Sequence, residues 1–211
     1  MASRLFTAGL HRGRLAQALA TLERYKARLD EVTSILSQQE IESAVTVRDV
    51  SIVVQRLEMV RRISEEIAHY VVELGADGRL LSLQLDDLIG GVSPDRELVI
   101  RDYLDAAGPE RSMFEVLDDL AAISSAELVD LVQVAGVLGF PATPDSLDIT
   151  VHPKGYRLLN KVPRIPGTII ERLVEHFGDL QKLLAASLDE LMAVEGVGEQ
   201  LRRLDRLGPA G

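Results

Sequence analysis

Leu15, Leu19, Leu22, Tyr25, Leu29, Val32 and Leu36 recur at steps of three and four, the spacing that places side chains on one face of an α-helix. The apolar stripe is narrow. It predicts a helix of about six turns with a coiled-coil-like seam, made within the chain or between chains. Ser37 followed by Glu40 has the form of a capping box and predicts a new helix start. Thr46 predicts the start of a second long helix, with Asp49 three positions on. Its buried face is Val50, Val53, Val54, Leu57, Val60, Ile63 and Ile67. Gly75-Ala76-Asp77-Gly78 reads as the stop.

Beyond that stop, RLLSLQLDDLIGG (79–91) reads as helix. Ser93-Pro94 reads as a cap followed by proline at the first helical position, opening 94–104. MFEVLDDLAAI (113–123) predicts one helix. Ser124-Ser125-Ala126-Glu127 opens another that runs through LVDLVQVAGVLG. The proline-rich stretch 141–153 breaks the pattern and reads as a linker between two domains. After it come short helical segments: GYRLLNK, TIIERLVEHFG, DLQKLLAAS, LDELMAVEGVG and EQLRRLDRL. No segment reads as a strand, so the fold class expected is all-α.

Composition agrees. Aromatic residues make up 4% and Trp is absent, so the core must be aliphatic, which suits helix-on-helix packing. There is no cysteine, hence no disulfide framework and no thiolate metal site. His11, His69, His152 and His176 are scattered without helical pairing, so no zinc site is expected. Asp86-Asp87 and Asp118-Asp119 are neighbours whose side chains diverge on a helix, which makes them solvated faces rather than acid/base pairs. No phosphate-binding glycine loop is present. No apolar run is long enough to span a membrane. The opening MASRLFTAGLHRGR is basic and too short in its apolar run for a secretory signal; a transit peptide and an aberrant or engineered start both stay open.

The net charge of −10 argues at first against nucleic acid, but its distribution changes the picture. Residues 1–30 carry +4, residues 31–149 carry −15 and residues 150–211 carry +1. A DNA contact is excluded electrostatically from the middle and not from the end.

Two turns in that C-terminal third carry the chemistry. VPRIPGTIIERLVEHF has a proline-glycine turn, Pro166-Gly167, ahead of an amphipathic helix. LMAVEGVGEQLRRL has a glycine-x-glycine turn, Gly196-Val197-Gly198, ahead of another. A connecting helix lies between them, the organisation of a tandem helix-hairpin-helix. Glycine lets the backbone take positive φ in a tight turn and leaves no side chain over the next helix N-terminus. Its N–H groups can then receive a DNA phosphate without reading a base. The candidate DNA-binding residues are Lys161, Arg164, Gly167, Thr168, Gly196, Val197, Gly198, Gln200, Arg202 and Arg203. The arginines and Lys161 supply long-range attraction.

The chain also resembles a family. QALATLERYKARLDEV (17–32), VTVRDVSIVVQRLEMVRRISEEI (45–67), VVELGADGRLLSLQLDDL (71–88), RELVIRDY (96–103) and residues 155–199 resemble the DNA-integrity-scanning diadenylate cyclase family, DisA. The resemblance implies an elongated helical linker domain (15–140), a linker (141–153) and a small tandem helix-hairpin-helix domain of the RuvA domain 2 type (154–211), shortened at its end. Residues 1–14 do not match and form an atypical N-terminal segment. It further implies a cyclase domain that joins two ATP molecules into cyclic di-AMP with Mg or Mn, an octamer built largely through that domain, and inhibition by branched DNA. It places the protein in the cytoplasm, associated with the nucleoid. The cyclase signatures, aspartate-glycine-alanine and arginine-histidine-arginine, are absent, and Asp77-Gly78-Arg79 is only an echo. The expectation is therefore a non-enzymatic chain with no cofactor.

Two departures bear on the DNA site. Arg202 stands where a small residue is usual, and Ile169 where a second glycine is usual. Three functional readings are open: a non-catalytic DNA-binding fragment acting in DNA-damage sensing, an interaction or regulatory subunit contacting itself or a full-length relative, and a diadenylate cyclase.

Overall fold

The computed structural model describes residues 2–73, 78–107 and 111–198. One helix of 41 residues, α1 (Ala2–Glu42), packs along α2 (Val47–Glu73). The predicted seam is satisfied within the chain: Leu15, Leu19, Leu22, Leu29 and Leu36 are buried in one core with Val50, Val53, Val54, Leu57, Val60 and Ile67. The expected break at Ser37 does not occur. Ser37 Oγ donates back to the Thr33 carbonyl (3.0 Å), as a hydroxyl inside a helix does, and Glu40 is fully buried. Thr46 starts α2 as expected, its N–H and hydroxyl both donating to Asp49 (2.9 and 2.6 Å).

α3 (Arg79–Ile89) and α4 (Val92–Tyr103) follow, and a 3-10 turn (Leu104–Ala107) continues α4. The stop expected after α2 lies largely outside the described residues. The start of α4 differs from expectation: Gly91, with φ 97°, caps the helix and Ser93-Pro94 falls within its first turn. α5 (Met113–Ala122) opens with a Ser112–Glu115 capping box. The segment expected to be one helix after Ser124 is two, α6 (Ser125–Val129) and α7 (Leu131–Val137). Asp130 divides them by capping Val132 with its side chain (2.9 Å).

α2 is the centre of this bundle and its polar side chains tie down the short helices. Gln55 donates to the carbonyls of Leu128 and Val129 (2.7 and 3.0 Å), and Arg62 to those of Leu120 and Ile123 (2.7 and 2.8 Å). These are the carbonyls a helix C-terminus leaves unpaired. The proline-rich stretch is packed. Its 3-10 turn (Pro144–Asp148) buries Ser146 and Leu147, and residues 149–151 run antiparallel to 45–47, with Val151 N–H donating to Val45 O (3.0 Å). Among the described residues this isolated bridge is the only β pairing, and the fold is all-α.

Candidate nucleic-acid interface

Four helices follow: α8 (Tyr156–Asn160), α9 (Gly167–Phe177), α10 (Leu180–Ala185) and α11 (Leu188–Ala193). They enclose a second apolar core of Ile169, Leu173, Leu180, Leu183, Val194 and Val197, with Leu158, Leu159, Ile165, Phe177 and Leu191 around it. α8, the turn and α9 form a helix-turn-helix where the first hairpin is expected. Pro166, at φ −64° and ψ 145°, sets the entry into α9, and no side chain caps that helix. The N–H groups of Ile169 and Ile170 donate to Pro166 O (2.9 and 3.2 Å). Gly167 and Thr168 stand exposed at the tip, where a helix presents its free N–H donors and the positive end of its dipole.

The turn glycines divide by conformation. Gly196 takes φ 86°, as a tight turn requires. Gly167 and Gly198 do not, and in the first turn the left-handed residue is Arg164 (φ 66°). A Cβ on Gly167 would meet nothing within 4 Å, and one on Gly198 only the Met192 methyl at 3.9 Å. Gly167 therefore has neither a backbone nor a packing reason to be glycine.

The two turns meet. Ile169 is turned inward, 8% exposed, and its Cδ1 lies against Gly196. The residue that departs from the hairpin pattern thus fills the space between the turns and leaves the outer surface clear. Arg172, which the sequence reading missed, joins them from α9: its Nη1 donates to the Glu195 carbonyl (2.9 Å) and its Nη2 lies 3.8 Å from the Glu195 carboxylate. No local pattern marks this pair, because the contact spans two turns.

Other predicted residues have different surroundings. The Val197 side chain is in the core, 7% exposed, so only its backbone is available to a ligand. Lys161 donates to Ser37 Oγ on α1 (3.1 Å); burial, and then Arg157, lower its pKa from the usual lysine value. Gln200, Arg202 and Arg203 lie outside the described residues.

α8 is held in place by a buried ionic cluster that no sequence motif announces. Asp102, on α4, accepts from the N–H groups of Gly155, Tyr156 and Arg157 (2.8, 2.7 and 3.0 Å), capping α8 from a different helix. The Arg157 side chain runs to α1, where it pairs with Glu40 and donates to Ser37 Oγ (3.1 Å). Tyr103 donates its hydroxyl to Glu40 (2.8 Å). Burial, and next the Glu40 charge, push the Tyr103 pKa far above its usual value. Burial pushes the Asp102 carboxyl up to about 6 against the pull of its three N–H donors. Around the cluster, Arg101 stacks on Tyr156 (4.0 Å) and pairs with Glu171 (2.8 Å), and Gln181 donates to Glu40 O (2.7 Å).

Among the described residues no group of three or more histidine or acidic side chains could hold a metal ion, and no helix is long and apolar enough to cross a membrane. Residues 12–147 match the family described as the DisA bacterial checkpoint controller linker region. A DNA integrity scanning protein DisA from Kineococcus radiotolerans is 67% identical over 196 residues, 93% of this chain and 55% of that protein. One from Streptomyces griseus is 64% identical over 197 residues, 92% of this chain and 53% of that protein. The chain spans about half the length of the curated relatives it matches. The linker-region match, together with these relatives, establishes that the chain belongs to the DisA family.

Proposed function

We propose that this chain is a non-catalytic, DNA-binding part of a DNA-integrity-scanning protein. It grips phosphates of duplex or branched DNA through helix-hairpin-helix turns. In this reading residues 15–140 are the linker domain and 154–211 the tandem hairpin domain. The observation that carries it is Gly167. This glycine is exposed, free of conformational need, and set on the uncapped N-terminus of α9. Its lack of a side chain serves something that approaches from outside, and an anion at a helix N-terminus fits. Arg164 and Thr168 belong to the same turn, which lies in the part of the chain that is not acidic, while Lys161 just before it is directed to Ser37 on α1.

ATP with Mg or Mn belongs to the cyclase chemistry of the family. The residues of this chain do not fit that group: they carry neither cyclase signature and assemble no acidic metal cluster among those described. We therefore expect no cyclic di-AMP synthesis from this chain by itself. The seam that motivated a partner-binding reading is used up inside the chain against α2.

Fluorescence anisotropy on a labelled four-way junction and a matched duplex, across a salt series, tests the proposal. The junction should bind more tightly, and log affinity should fall linearly with log salt. Gly167→Val should weaken binding about tenfold or more, the scale of losing a charge-assisted phosphate contact, while helicity is kept. Full affinity in a folded Gly167→Val chain would show that the tip does not hold the phosphate.

A further inference from the structure

The two apolar cores do not merge. Between α1–α4 on one side and α8–α10 on the other, the joint is ionic and hydrogen-bonded: Glu40 with Arg157, Asp102 with the α8 N-terminus, Arg101 with Glu171, Gln181 with the end of α1, Lys161 with Ser37. Glu40, Asp102 and Arg157 are each no more than 2% exposed. Such a cluster holds well while every member is paired and poorly when one is removed, because the survivor is then a bare charge out of water. Here the survivor has a way to water that costs neither core, since opening the joint exposes it.

We propose that Glu40, Asp102 and Arg157 are positioning residues: they form a latch that sets the direction of the first hairpin relative to α1, and the latch opens as a unit with both cores still folded. α8, one arm of the hairpin, is held at its first turn by Asp102 and, through its own Arg157, by Glu40 and Ser37 of α1, and just beyond its last turn through Lys161 by Ser37, so freeing it frees the tip. The part played in DNA recognition rests on the hairpin reading above. The latch itself does not.

The test measures position first and DNA second. The chain has no native cysteine, so spin labels at Glu31→Cys on α1 and Glu175→Cys on α9, both exposed, report the joint directly. The native latch should give one narrow distance. Arg157→Met, which strands the Glu40 carboxylate, should broaden it or add a second, longer population. Combining Arg157→Met with Glu40→Gln removes the stranded charge and should restore the narrow distance, an outcome that simple loss of arginine packing does not produce. Junction affinity should fall about tenfold in Arg157→Met and recover in the double variant. If DNA binding is absent throughout while the distances behave as stated, the hairpin reading fails and the latch stands. An unchanged distance in Arg157→Met, or a double variant as broad as the single, overturns the latch. Hydrogen exchange of the unaltered chain gives an answer that needs no variant. Amides of Tyr156 and Arg157 should exchange through an opening that leaves α2 and α9 protected. Exchange of all of them only by global unfolding overturns the proposal.

Discussion

Ile169 and Gly196 interlock: a Cβ placed on Gly196 would sit 2.8 Å from Ile169 Cδ1, closer than side chains pack. Gly196 also holds φ 86°, which costs an L-residue about 1–2 kcal/mol. Overpacking of a core adds roughly 1–3 kcal/mol. Gly196→Ala should therefore destabilise the C-terminal helices by about 2–5 kcal/mol in urea denaturation. Adding Ile169→Val, which deletes the offending methyl, should recover part of the overlap and none of the backbone strain. A Gly196→Ala chain as stable as the parent would show that the turn relaxes freely.

Gly167 should behave in the opposite way. Its side-chain direction is open and its φ is ordinary, so Gly167→Ala should change stability by no more than about 1 kcal/mol and in the stabilising direction. Thermal denaturation checks this. A marked loss of stability would return the glycine to a purely internal role.

Asp102 should leave a pH signature. Its carboxyl titrates near 6 in the folded chain, because burial disfavours the charge, and near 3.9 when unfolded. Between about pH 4 and 6 the native state holds a proton that the unfolded state has released, so stability contributed by this group falls as pH rises through that window. The full effect is about 3 kcal/mol. Glu58, Glu115, Glu127 and Glu190 are held low by their hydrogen-bond partners and act with the opposite sign, so the quantity to plot is the difference between the parent and Asp102→Asn. That difference should change across pH 4–6 and be flat above 7. A flat line throughout would place Asp102 at its ordinary pKa.

Glu58 is a further buried acid, on α2. It has no exposed surface and receives Arg61, Arg62 and Arg96 (2.7, 2.8 and 2.9 Å). Burial alone would raise its pKa, but the arginines outweigh that and hold it below the usual carboxylate range. Glu58→Gln should cost about 3–5 kcal/mol at pH 7 by stranding these cations. The penalty should shrink as pH falls through the depressed pKa, where the parent protonates too. Paired denaturation series at both pH values measure it.

Helices that bury one face against a neighbour were legible, because three-and-four spacing is a property of nearby residues: α1, α2, α3, α5 and α9 all lie where their apolar stripes put them. Ser37 and Glu40 misled for the converse reason. Their local form is a cap, yet Glu40 answers to Arg157, 117 positions away, and nothing at Glu40 says so. Gly91 outcompeted Ser93-Pro94 because a left-handed glycine could start α4 two residues earlier. At the candidate site the exposed Gly167 tip was visible in the motif. The inward turn of Ile169, the Arg172–Glu195 tie and the Asp102 cap were not, since each joins elements by packing rather than by spacing.

The continuity of α1 through Glu40 has a mechanical consequence. At about 1.5 Å per residue, Gly13 lies roughly 40 Å along the helix from Glu40. α1 is thus a lever whose fulcrum is the carboxylate that grips Arg157. Because α1 is packed along α2 the two move as one body, and a tilt of about 10° at the joint becomes a swing of roughly 7 Å at Gly13, a movement large enough to make or break a contact.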